Sequence, residues 1–162
     1  MKRKTFATRI DLAPKTREKM TALLNRQLAD TFDLYSQTKQ AHWNVKGAQF
    51  YQLHELFDKL AGELADYADL IAERVTALGG IALGTARMAS ASSRLPEYPL
   101  DAVDSIPSVE ALATRYANLG TTTRAAIDAA AQHGDADTSD LFTEVSLGLD
   151  KALWFLEAHL QA

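Results

Sequence analysis

The chain is 162 residues long, 47% hydrophobic and 23% charged, with no cysteine and a formal net charge of −4. That length fits one domain with a real core, and the low hydrophobicity and high net charge of a disordered chain are both absent. The missing cysteines exclude disulfides, thiolate metal sites and cysteine nucleophiles. With no membrane-length apolar run and no charged-then-apolar leader, neither a membrane span nor a secretory signal is expected, and a cytoplasmic protein is the plain expectation.

In chain order, residues 1–14 read as a basic arm and 15–162 as a helical domain. Through residue 19, Lys2, Arg3, Lys4, Arg9, Lys15, Arg17 and Lys19 stand against Asp11 and Glu18, a net +5 that leaves −9 for the remainder. Such a segment is either a solvated, frayed terminus or an interaction tail for a polyanion. The first helix is expected to begin after Pro14 and run to about Trp43, with Met20, Leu23, Leu24, Leu28, Phe32 and Tyr35 on one stripe. Asn44 to Ala48, containing Gly47, is a short reversal. A second helix follows from about Gln49 to Leu78, stopped by Gly79-Gly80. A third opens at Pro107-Ser108, with Ser108 as a candidate cap, and continues to Gly134. A fourth starts near Asp137-Thr138 and ends with the chain. The 28 residues from Gly79 to Ile106 join the two antiparallel pairs. A helix of about 26 residues is roughly 39 Å long, and this connection can cover it even with a short helix inside. The expected fold is therefore all-α, a four-helix bundle with one long crossover, which is the ferritin-like topology.

The second helix carries His54, Asp58, Asp69 and Glu73. At about 100° per residue they fall within an arc of roughly 100°, a polar stripe of oxygen and imidazole donors suited to a divalent metal. Asp58 and Asp69 lie roughly 16 Å apart along the axis, so one helix cannot close a single site. The four positions are symmetric about a point between residues 63 and 64: an antiparallel copy of the helix would set His54 opposite Glu73 and Asp58 opposite Asp69. Ala61, Gly62 and Ala65 near that crossing would allow close approach. His42, five residues before Gly47, returns beside His54. A two-fold dimer would then build two identical sites, each with two histidines from one chain and carboxylates from both. Few ligands and no cysteine suit iron or another first-row metal with open positions better than a closed zinc site. His54-Glu55-Leu56-Phe57-Asp58 approaches the zinc-protease pattern HExxH, but Asp58 replaces the second histidine, which disfavours a protease.

The run Asp33-Leu34-Tyr35 through Gln40-Ala41-His42-Trp43-Asn44-Val45-Lys46-Gly47 resembles the Dps family of ferritin-like miniferritins. So do His54 with Asp58, Asp69 with Ala72-Glu73-Arg74, Gly79-Gly80, and the closing Asp150-Lys151-Ala152-Leu153-Trp154-Phe155-Leu156-Glu157. The resemblance covers nearly the whole chain from about residue 15, and its H-x11-H-x3-D-x10-D-x3-E spacing is highly specific. It implies a hollow homo-dodecamer built from two-fold dimers, which oxidises Fe(II), preferentially with hydrogen peroxide, and stores ferric mineral. It places at most two irons at each inter-subunit site, with His42, His54 and Asp58 from one subunit and Asp69 and Glu73 from its mate. Glu55 matches a position associated with starting the mineral. Trp43 adjoins the site as either a quencher of oxidising radicals or a core aromatic. The ferritin motif ExxH is absent, so no site inside each bundle is expected.

Asp135, Asp137, Asp140 and Glu144 are candidates for a negative three-fold pore, against the plainer reading that acids in a first turn complement the helix dipole. His133 and His159 receive no role. The expected function is a bacterial cytoplasmic or nucleoid ferroxidase and iron store that protects DNA from oxidative damage, with non-specific DNA binding through the arm as a further activity. The alternatives are a DNA-compacting structural protein and a metal-binding bundle without turnover.

Overall fold

The computed structural model describes residues 4–161, and Lys2 and Arg3 of the basic arm lie outside that range. Among the described residues there are five helices and no named strand: α1 (Pro14–Asn44), α2 (Phe50–Ala77), α3 (Ala86–Ser92), α4 (Ser105–Gln132) and α5 (Ala136–Glu157). Pro14 opens α1, where its missing N–H costs nothing. Lys15, Arg17 and Lys19 of the basic segment therefore sit on the first turns of a helix.

The four long helices pack as α1 on α2 and α4 on α5, and the two pairs meet along α1–α4 and α2–α5. Their apolar stripes bury two clusters, one toward each end of the bundle. One joins Leu34 and Ala41 of α1 to Leu53, Phe57, Leu60 and Leu64 of α2, Leu112 and Tyr116 of α4, and Leu149 and Leu156 of α5. The other joins Met20, Leu24 and Leu28 to Ile71 and Val75, Ala126 and Ala130, and Phe142. The end of α1 thus meets the start of α2, and the end of α4 meets the start of α5, so both pairs are antiparallel. Because α4 also starts at the end where α2 starts, the chain must travel the length of the bundle between them.

That crossover holds the expected short helix, α3, and runs along α1 through a ladder of polar contacts. Asn25 donates to the Ile81 carbonyl at 3.1 Å and accepts from the Leu83 N–H at 2.8 Å. Asp30, 0% exposed, accepts from the Arg94 N–H at 2.8 Å and from Arg94 Nη2 at 2.5 Å. Gln37 donates to the Pro96 carbonyl at 3.1 Å, and Arg115 Nε of α4 donates to Gln37 Oε1 at 2.6 Å. Buried polar groups are stable only when paired, and here the pairing fixes the path of the crossover.

Three boundary expectations are corrected. Helix α4 starts at Ser105, earlier than Pro107-Ser108, and Ser108 is not its cap: it is buried in the first turn and its hydroxyl donates to the Ala102 carbonyl at 2.9 Å. Helix α5 starts at Ala136, capped by the Asp135 carboxylate, which accepts the Thr138 N–H at 3.0 Å. It ends at Glu157, short of the chain end. The arm is also held to the body, because the Phe6 N–H donates to the Gly79 carbonyl at 2.9 Å.

Candidate metal centre

The end of α1 and the start of α2 are joined by a tight turn through Gly47, at φ +107°. This turn lays the last turn of α1 against the second turn of α2 and stacks His42 on His54, with ring centroids 3.8 Å apart and planes 21° from parallel. The pair is clasped reciprocally: His42 Nδ1 is 2.8 Å from the His54 carbonyl oxygen, and His54 Nδ1 is 2.9 Å from that of His42. A carbonyl oxygen can only accept, so each Nδ1 carries the proton. In the neutral rings both Nε2 lone pairs are then free for a metal, and the clasp fixes the tautomer and orientation of each ligand.

Asp58, one turn beyond His54, lies beside the pair as the third candidate ligand of a half-site. Its Oδ1 is 3.9 Å from His42 Nε2 and 2.6 Å from the Lys39 ammonium. The hydrogen bond from Lys39 holds the Asp58 carboxyl below the usual carboxylate range, so it is anionic at neutral pH. Lys39 was not singled out from sequence, although a signal existed: at three residues before His42 and four before Trp43 it shares their helix face. Its ammonium lies 5.6 Å from the Trp43 ring centroid.

The remaining candidates lie elsewhere in the chain. Asp69 and Glu73 are exposed on α2, roughly 22 Å or more beyond His54 at 1.5 Å per residue. Among the described residues, no cluster of three or more histidine, aspartate or glutamate side chains has the geometry to hold a metal. One chain therefore supplies His42, His54 and Asp58 at one end of α2 and Asp69 and Glu73 at the other. Glu55 is exposed on α2. Trp43 is 65% exposed, so it is not a core aromatic of this chain.

Two further expectations change. Ala61 is 1% exposed and packs in the bundle, at the edge of the polar arc, while Gly62 and Ala65 face outward; only these two remain for a close helix crossing. Asp135 is 1% exposed and accepts from Arg74 Nη2 at 2.7 Å and from the Thr138 hydroxyl, so it ties α2 to the α4–α5 corner and is unavailable to line a pore. Asp137, Asp140 and Glu144 are exposed beside Leu70 and Leu147 along one surface groove.

Comparison with known proteins places this chain in a wider group. A ferritin-like domain family matches residues 21–162. The chain is 44% identical over 158 residues to a DNA protection during starvation protein of Agrobacterium fabrum, covering 98% of each. Among solved structures it superposes on DpsC from Streptomyces coelicolor with a TM-score of 0.92 and 34% identity, over 100% of this chain and 95% of that one. It also matches a Dps protein from Vibrio cholerae O1, described as a member of a broad superfamily of ferritin-like diiron-carboxylate proteins, at a TM-score of 0.89 and 27% identity over 96% and 98% of the two chains.

Proposed function

The chain belongs to the Dps family of ferritin-like proteins, and from that premise we propose that it oxidises Fe(II), preferentially with hydrogen peroxide, and stores the ferric product inside a hollow dodecamer. The observation that carries this reading is the clasped histidine pair beside Asp58, with both Nε2 atoms free, at one end of the helix that also exposes Asp69 and Glu73. An antiparallel neighbour crossing near Gly62 and Ala65 would bring its own Asp69 and Glu73 to this half-site. Each site would bind at most two ferrous ions, as substrate. Two ferrous ions give one electron each, the peroxide O–O bond breaks, and both oxygens leave as water or hydroxide, so no hydroxyl radical is released. Imidazole and carboxylate donors in small number leave coordination positions open for the oxidant. Trp43 stands exposed beside Lys39, placed to be oxidised in place of DNA if a radical escapes. Glu55 is proposed to start the mineral, and Asp137, Asp140 and Glu144 to draw cations to an entry pore.

His42→Ala combined with His54→Ala should lower peroxide-dependent Fe(II) oxidation by at least about tenfold while the assembled mass stays unchanged. An unchanged oxidation rate in intact assemblies would refute the site.

The arm supports a second activity, non-specific DNA binding in a bacterial cytoplasm. Lys4 and Arg9 are exposed, and phosphate contacts need only clustered Lys and Arg. Many arms on one shell would add avidity. In a low-salt gel shift, deleting residues 2–9 should abolish retardation of DNA; retardation equal to that of the full chain would end this reading, leaving iron oxidation as the means of DNA protection.

A further inference from the structure

Two groups address one oxygen of the half-site. Asp58 Oδ1 lies 3.9 Å from His42 Nε2, within the reach of two metal–ligand bonds of about 2.1 Å should both atoms hold one divalent cation, and the same oxygen accepts a hydrogen bond from the Lys39 ammonium at 2.6 Å. We propose that Lys39 is a resident counter-ion of this half-site, which an incoming divalent cation must displace from Asp58 before that carboxylate can coordinate it. The inference rests on reading His42, His54 and Asp58 as a metal half-site.

The physical basis is competition for one anion. A charge-assisted hydrogen bond to the ammonium occupies the lone pair a metal needs, and an ammonium left within a few ångströms of a divalent cation repels it. Lys39 also has a second seat. Its side chain is largely covered, at 21% exposure, and its Nζ lies 5.6 Å from the Trp43 ring centroid, so the ammonium can leave Asp58 and remain over the indole face. Lys39 thus acts on the metal through Asp58, as a residue that sets affinity and the order of filling. The two imidazoles, with free Nε2 atoms, load first; the Asp58 oxygen becomes available only as the ammonium moves. The Lys39–Asp58 pair carries no net charge, which makes the carboxylate less of a general cation trap than it would be alone.

The test uses the assembled full chain and Zn(II), a redox-inert probe, titrated calorimetrically at low and high ionic strength. Lys39→Met keeps the stem and removes the charge, and should bind Zn(II) roughly tenfold more tightly than wild type, the scale on which one neighbouring unit charge biases a carboxylate. Lys39→Arg keeps the charge and should stay within a few-fold of wild type. The gap between wild type and Lys39→Met should narrow as salt screens the competing charge. Binding by Lys39→Met that is equal to or weaker than wild type, or a gap insensitive to salt, would overturn the proposal, because a lysine that merely positions Asp58 would weaken the site when lost. Zn(II) binding that survives His42→Ala with His54→Ala would instead overturn the half-site reading itself, and the proposal with it.

Discussion

His42 and His54 do at the scale of single residues what a metal ligand requires: each spends its Nδ1 proton on the other's carbonyl and keeps its Nε2 lone pair free. Their pairing was legible in sequence because twelve residues spanning a glycine turn leave few alternatives to a return beside the first histidine. Lys39 was less legible, since a lysine on a helix face usually extends into solvent and nothing in the spacing says which carboxylate it will meet. The glycines make a sharper residue-level contrast. A Cβ on Gly79, at φ +83°, would stand 2.3 Å from the Phe6 carbonyl oxygen. Gly79→Ala should therefore cost about 1–3 kcal/mol in chemical denaturation and detach the arm, read as faster proteolysis near Phe6. A Cβ on Gly62 would meet nothing within 4 Å, so Gly62→Ala should leave the chain as stable or slightly more so.

Among the elements, α1 departs furthest from its sequence pattern. The stripe of Met20, Leu24 and Leu28 predicted its inner face, yet Asn25, Gln27, Asp30 and Gln37 are buried as well. In a periodicity reading such residues belong to the solvent side; here the crossover and α4 satisfy them, through the crossover backbone and Arg94 on one side and Thr122 and Arg115 of α4 on the other. Sequence could show that a long connection existed, but the partners that pin it are more than fifty residues away along the chain. Arg94→Ala should cost about 2–3 kcal/mol in thermal or denaturant unfolding, because it leaves the buried Asp30 carboxylate with the Arg94 backbone N–H but without its ion-pair partner. A loss below about 0.5 kcal/mol, typical of a surface ion pair, would contradict the view of the crossover as anchored there. The same reasoning accounts for Ser108 and Asp135. Both are cap-type residues near a helix start, and only tertiary packing decides that Asp135 caps and ties α2 while Ser108 turns inward.

For the whole molecule, the proposed site makes the chain half of a chemical unit. The α1–α2 turn sets His42 beside His54 and Asp58 near one end of α2, Asp69 and Glu73 lie near the other, and a two-fold partner running antiparallel would unite them. The proposed helix crossing would rest on Gly62 and Ala65, which are exposed in the single chain. Gly62→Leu should preserve helix content and monomer stability while lowering the assembled mass by sedimentation, since a bulky side chain at the crossing separates the two helices. A full-size assembly with unchanged iron oxidation would place the interface elsewhere. The overall charge of −4 divides into an acidic body and a basic arm docked through Phe6.

The most direct measurement of the shared site is complementation in mixed assemblies. One parent carries His42→Ala with His54→Ala, the other Asp69→Ala with Glu73→Ala, and peroxide-dependent Fe(II) oxidation is followed for each parent alone and for shells reassembled from both. Each parent should be nearly inactive. A mixed pair restores one complete site, with histidines from the second parent and carboxylates from the first, so the co-assembled shells should regain a substantial fraction of wild-type activity. Co-assembled shells as inactive as their parents, or undiminished activity in either parent alone, would contradict a site built by two chains.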